Sequence, residues 1–165
     1  MQIRLRPIAT ICSPFCELAN MPVQPKGAQE TYATIEFSKE FQEGLKDLDG
    51  FSHVYLIYHF HEVKEPKLSV IPFNDVTNTP RGVFSTRTPM HPNSIGLSVV
   101  ELVKVEENVV TIKGVDILDG TPLLDIKPYI ENFDKAEGNI KSGWMHASLE
   151  EVSSKKSDDR FIQNK

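Results

Sequence analysis

The stretch RTPMHPNSIG, residues 87–96, concentrates more chemistry than any plain turn requires. Arg87 offers a cation for a carboxylate, His91 an imidazole that can take or give a proton, and Asn93 an amide for a ligand or for its own turn. Pro89 and Pro92 stiffen the loop before any ligand arrives, which lowers the entropy cost of binding. Gly96 permits positive φ or a close backbone approach. A proline-rich crossover could use the same residues, so the loop points to a preorganised binding site without naming the ligand.

Two other stretches carry reactive groups. GVDILDGTPLLDIKPY (114–129) holds three carboxylates, Asp116, Asp119 and Asp125, which could serve a ribose, an amine or a catalytic proton. Asp119-Gly120-Thr121-Pro122 is also a strong turn signal, and Asp125 with Lys127 fits a surface pair, so the local pattern favours a turn over a catalytic cluster. In FSHVYLIYHFH (51–61), His53, His59 and His61 share parity and would face one side of an extended strand. His59 and His61 with His91 or His146 could bind zinc, but no Asp or Cys stands at partner spacing; His61 lining a ligand pocket at a strand end is favoured over a metal triad. Cys12 and Cys16 are spaced CxxxC with no second pair, which fits neither a zinc site nor a CxxC redox motif, and reduced thiols fit a cytoplasmic protein.

Strands must position these groups. IRLRPIATI predicts a first strand whose proline suggests an edge or bulge. TYATIEF places Ala33, Ile35 and Phe37 on one face, and SHVYLIYHFHEV, KLSVIPF, GVFSTR and PLLDIKPY add further strands. In IGLSVVELVKVEENVVTIKGVDIL, EEN separates two Val-rich runs and predicts a hairpin. SKEFQEGLKDLDGF (38–51) predicts one short helix, capped by Ser38 and stopped by Gly44 or Gly50. Helices do not separate the strands, so the expected class is all-β, a small single-sheet β-barrel with one or two short helices. Residues 1–148 are expected to form the barrel domain and 149–165 a polar tail.

The 165 residues suit one domain with a real core, and 39% apolar with 25% charged residues is ordinary for a globular chain. The net charge of −5 argues against gripping nucleic acid by bulk electrostatics, although Arg81, Lys104, Lys113 and Lys127 are candidates for a local basic patch. The start does not read as a signal peptide and no apolar run is long enough to span a membrane, so a cytoplasmic location is expected. The GxGxxG, GxxxxGK and GxSxG motifs are absent, which excludes the standard nucleotide cradles and the nucleophile elbow.

FSTRTPMHPNSIGLSVVEL, GVDILDGTPLLDIKPY, FSHVYLIYHFH and the early SPF…MPVQP occur here in the order found in the TrmO (TsaA-type) family, which the chain resembles over roughly residues 5–145. The resemblance implies a β-barrel, usually a homodimer, that uses S-adenosylmethionine to methylate N6 of threonylcarbamoyladenosine beside the tRNA anticodon. It implies cofactor contacts at Val23, Gln24 and Pro25, at Phe60 and His61, at Arg87 and Leu97, and at Ile117, Leu118, Asp119 and Gly120. His91, Asn93 or Asp119 would orient the acceptor nitrogen or take its proton; the choice stays open. The family commonly has RPNPIG and PRQP where this chain has HPNSIG and PVQP, so arginines are absent at His91 and Val23. Two alternatives share the fold: a methyltransferase for a small molecule or protein, and a non-catalytic S-adenosylmethionine-binding module.

Overall fold

The computed structural model describes residues 2–18, 21, 28–73, 75 and 77–145. The chain order is β1 (Ala9–Cys12), β2 (Tyr32–Phe37), β3 (His53–His59), β4 (Ser69–Val70), β5 (Arg81–Gly82), β6 (Ile95–Glu106), β7 (Val109–Lys113), β8 (Thr121–Pro128) and the one-turn helix α1 (Glu131–Asp134). Six strands close into an antiparallel barrel in the order β1-β2-β7-β6-β3-β8, and β4 and β5 form a small separate ribbon. The all-β barrel expected from strand alternation is therefore present, with the ribbon as a satellite.

Alternation fills the barrel. Ala33, Ile35 and Phe37 of β2 point inward as expected, joined by Ile11, Val54, Leu56, Val100, Val110, Ile112, Val115 and Leu123. Each fully buried aliphatic chain of this kind contributes about 1.5–3 kcal/mol. A second cluster of Val70, Val83 and Met90 anchors the ribbon and the loop that follows it.

Four expected elements differ from what forms. The first strand begins only at Ala9, because Pro7 has no N–H to donate and pairing starts with the Ile8 N–H to the Leu123 carbonyl at 2.9 Å. The helix expected over 38–51 is instead two 3₁₀ segments, Lys39–Leu45 and Leu48–Gly50, with Asp47 between them at φ 65°. Leu45 and Leu48 are both buried, one on each segment, and Ser38 makes no side-chain cap. KLSVIPF pairs only over Ser69–Val70. GVFSTR is a strand only at its start, since Ser85 Oγ donates to the Gly82 carbonyl (2.8 Å) and Thr86 Oγ1 to that of Val83 (2.7 Å), which winds Val83–Ser85 into a 3₁₀ turn.

The EEN hairpin forms between β6 and β7, with Glu107 at φ 51°. The tail expected over 149–165 lies outside the described residues. No helix among the described residues is long and apolar enough to cross a membrane.

Candidate functional site at one rim of the barrel

One rim gathers the chemistry. The C-terminal ends of β1 and β3, the N-terminal ends of β6 and β8, and the 114–120 connection all reach it, as the registers Ile11↔Thr121, His59↔Ile95 and Tyr58↔Leu123 require. A register shift between Ile57 and Tyr58 bulges the β3–β8 pair just before this rim and re-aims the chain there.

The β7–β8 connection is pinned to the segment after β1. Ser13 N–H donates to Asp119 Oδ1 (2.9 Å), and Ser13 Oγ donates to the Ile117 carbonyl (2.6 Å). Asp119 N–H reaches the Phe15 carbonyl (2.8 Å) and Gly120 N–H that of Ile11 (2.9 Å). Gly120 sits at φ 74°, as the Asp-Gly turn demands, and Thr121 Oγ1 closes the turn on the Leu118 carbonyl (2.7 Å). Asp119 and Gly120 are exposed, whereas Ile117 points into the core and offers the rim only backbone.

The 86–94 loop is fastened to the same rim. Phe60 N–H donates to the Ser94 carbonyl (2.8 Å) and Lys67 N–H to that of Met90 (3.0 Å). Ser94 is buried at φ 47°, an uncommon left-handed conformation for a side chain, and its N–H closes a turn on the His91 carbonyl (2.9 Å). His91 Nε2 lies 3.1 Å from the Thr86 carbonyl; a carbonyl only accepts, so Nε2 carries a proton, and in the neutral ring the lone pair is on Nδ1. Asn93 and Arg87 are exposed, and Arg87 makes no ion pair among the described residues. Phe84, 75% exposed, meets the His91 ring edge-on at 5.8 Å.

Phe60 and His61 lie just past the end of β3, so His61 leaves the strand face that His53 and His59 share and sits 3.6 Å from Glu62. Among the described residues no group of three His, Cys, Asp or Glu could hold a metal ion, and His146 lies outside them. Leu97 is on the outside of the barrel and 54% exposed. Val23, Gln24 and Pro25 lie outside the described residues. Cys12 and Cys16 are free thiols, and burial with nearby Glu36 and Asp119 pushes the Cys12 thiol up.

Beneath the rim is a buried polar group of three residues that the sequence did not single out as a set. Tyr58 Oη and Ser98 Oγ are 3.1 Å apart, and the Asp116 carboxyl faces Ser98. Oδ1 of Asp116 is closed off from solvent with no hydrogen-bond partner, although the residue as a whole is only half-buried. Burial pushes the Asp116 carboxyl up to about 7, against the pull of its own backbone and Ser98. Burial, then the Asp116 charge, also pushes the Tyr58 phenol well up. Gly96 needs no positive φ; it is glycine because a Cβ there would overlap the Tyr58 ring. Parity on β3 and β6 could have found Tyr58 and Ser98, and the first aspartate of the DILDG run could have found Asp116.

The expected basic patch does not form. Each candidate has its own acid: Lys104 with Glu106 (2.6 Å), Lys113 with Glu30 (3.1 Å), Lys127 with Asp125 (2.8 Å) and Arg81 with Asp75 (2.6 Å). Lys104 and Lys113 stand on the paired strands β6 and β7, but each of the four charges is balanced by its own acid. A concavity of about 600 Å³ lies at the opposite rim, lined by Glu43, Asp47, Asp49 and Glu107 among others; its acidic lining suits neither a carboxylate nor a phosphate.

Known proteins share this arrangement. The description "tRNA-methyltransferase O N-terminal domain" belongs to the family whose pattern matches residues 10–135. A probable S-adenosyl-L-methionine-binding protein of Pyrococcus abyssi is 47% identical, over 98% of this chain and 86% of its own length. A tRNA (adenine(37)-N6)-methyltransferase of Rattus norvegicus is 34% identical over 87% of this chain, which spans only 34% of that enzyme. The crystal structure of TrmO from Pseudomonas aeruginosa superposes with a TM-score of 0.71 at 36% identity, covering 87% of this chain and 62% of that one. A barrel of this strand order, with its connections gathered at one rim and a matched sequence spanning most of it, places the chain in the TrmO family.

Proposed function

We propose that the chain is an S-adenosylmethionine-dependent methyltransferase that acts on N6 of threonylcarbamoyladenosine beside the anticodon of tRNA, in the cytoplasm and as a homodimer. The observation that carries this is the convergence of Phe60, His61, Leu97, Asp119, Gly120 and the stiff 86–94 loop at one rim. The names of the Pyrococcus and rat relatives support the cofactor and the acceptor respectively.

S-Adenosylmethionine brings an electrophilic methyl on a sulfonium, and the protein's part is alignment and proton removal. Phe60 and Leu97 offer apolar surface for the adenine. Asp119 has one oxygen engaged by Ser13 and the other left for a ribose hydroxyl or the ammonium group. Arg87, without an internal acid, suits the methionine carboxylate. Val23, Gln24 and Pro25 complete the contacts that family resemblance implies. The acceptor N6 loses a proton as its bond to the methyl forms, and His91 Nδ1 is a lone pair on the rim able to take it. Asn93 is exposed beside it to orient the acceptor.

The second copy would cover the outer face of β6 beside Leu97, where Ile95, Val99 and Val103 are exposed, a run of apolar side chains unusual for a monomer surface.

Calorimetric titration with S-adenosylhomocysteine against adenosine tests the cofactor, and methyl transfer to tRNA from cells lacking this protein tests the acceptor. Selective micromolar binding with transfer is expected. Binding without transfer to any RNA would leave a small-molecule or protein acceptor, which the pairing of Lys104, Lys113 and Lys127 with acids favours, or a binding module. No binding would overturn the enzyme assignment.

A further inference from the structure

We infer that Tyr58, Ser98 and Asp116 act as one buried positioning unit that holds the three rim segments bearing Phe60, Leu97 and Ile117–Gly120 at fixed spacing, and that it does so with Asp116 protonated. The inference rests on the cofactor assignment above and deepens it.

Each member of the unit is tied to one of those segments. The Tyr58 ring meets Phe60 edge-on, with centroids 5.2 Å apart, and fills the space over Gly96. Ser98 stands next to Leu97 on β6; strand alternation turns Ser98 inward and Leu97 outward. Asp116 immediately precedes Ile117, whose side chain is locked in the core. A displacement of any one of the three therefore moves a segment that faces the cofactor.

The protonation state follows from the surroundings. Oδ1 of Asp116 has no partner, and no cation among the described residues forms an ion pair with the carboxyl. From β3 the titratable group facing it is Tyr58, and β6 presents the Ser98 hydroxyl. Lys113 at the end of β7 is held by Glu30, and Asp119 in the same connection is turned to Ser13. An ionised Asp116 would leave charge on an oxygen with nothing to stabilise it, whereas the neutral acid leaves only an unpaired acceptor. Neutral, its O–H can donate to Ser98 Oγ, which has acceptor capacity to spare. Ionisation gives the carboxylate reason to reach water, and the 117–120 segment would move outward with it.

The test is calorimetric titration of the full chain with S-adenosylhomocysteine between pH 5.5 and 8.5, for wild type, Asp116→Asn, Ser98→Ala and Tyr58→Phe. Wild-type affinity should fall as pH rises past neutrality, by up to about tenfold per unit. Asp116→Asn, neutral throughout, should lack that component and bind more tightly than wild type at pH 8.5. Ser98→Ala and Tyr58→Phe should bind several-fold more weakly at pH 6. A purely structural role would not give the asparagine variant a flattened profile. If wild type binds and Asp116→Asn follows the same pH profile, the inference is overturned while the cofactor assignment stands. If none of the four binds at any pH, the cofactor assignment fails and takes the inference with it.

Discussion

Replacing Asp116 by asparagine should make the protein more stable at pH 8 and leave its stability nearly unchanged at pH 4. Burial holds the folded-state carboxyl at about 7, against an ordinary value of 3.8 in the unfolded chain. Between these values the folded protein binds a proton that the unfolded chain has released, so wild-type stability declines as pH rises through that window. At about 1.4 kcal/mol per unit, the loss approaches about 4 kcal/mol, complete once pH passes about 7. Because the residue is only half-buried, water can reach part of the group, and a loss of about 2–4 kcal/mol is the working figure. Asparagine has the same shape and no charge to bury, so it escapes this loss.

Urea unfolding at intervals from pH 4 to pH 9 measures the difference directly, provided the two proteins share an m-value. The asparagine variant should gain about 1 kcal/mol on wild type per unit from pH 4 to 7, then hold a constant advantage. A variant equally or less stable than wild type at pH 8 would refute the reasoning. It would mean that the carboxylate is ionised in the folded barrel, held there by the Ser98 hydroxyl and its own backbone more strongly than burial opposes it.

Three further perturbations probe the rim. Gly96→Ala forces a methyl against the Tyr58 ring and should cost about 1–3 kcal/mol in thermal or urea unfolding; adding Tyr58→Leu should recover part of the loss. Arg87→Ala should weaken S-adenosylhomocysteine binding by about tenfold or more with an unchanged melting midpoint, since the side chain is exposed and makes no ion pair among the described residues. Asp75→Ala removes the acid that Arg81 grips at 2.6 Å, and Arg81 in turn lies 5.3 Å over the ring of Trp144, the single tryptophan. Tryptophan emission should therefore change in that variant at neutral pH. In wild type, hydrogen bonds from Arg81 and Thr77 hold the Asp75 carboxyl well below the usual range, so its stabilisation is present above about 4 and lost only as acid reaches that depressed value.

The barrel was readable because alternation is a local signal. TYATIEF buries the alternate residues it predicts, and the EEN break became the turn of the β6–β7 hairpin. The misplaced elements were settled by contacts beyond the local pattern. Leu45 and Leu48 both reach the core from one short connection that breaks between them at Asp47, whose φ of 65° no continuous helix contains. The lysines looked like a basic patch because sequence does not show that Glu106, Glu30 and Asp125 each stand beside one of them.

The hidden polar unit was legible only as separate residues, not as a set. On IGLSVVELV both parities are largely apolar: Gly96, Ser98, Val100 and Leu102 on one side, Ile95, Leu97, Val99, Glu101 and Val103 on the other. The hydrophobic pattern alone leaves the choice open, because the first set contains a serine and a glycine and the second a glutamate. The register with β3 decides it: Tyr58 stands opposite Gly96, and Leu56 opposite Ser98. With Tyr58 inside, only glycine fits across from it, and the serine gains a buried partner for its hydroxyl. The cost is a strand that shows water four aliphatic side chains while keeping a hydroxyl, and through it a carboxyl, in the interior. A cofactor against Leu97 and a second copy over Ile95, Val99 and Val103 would supply what solvent does not, and the interior polar unit would fix the strand in the one register that presents them.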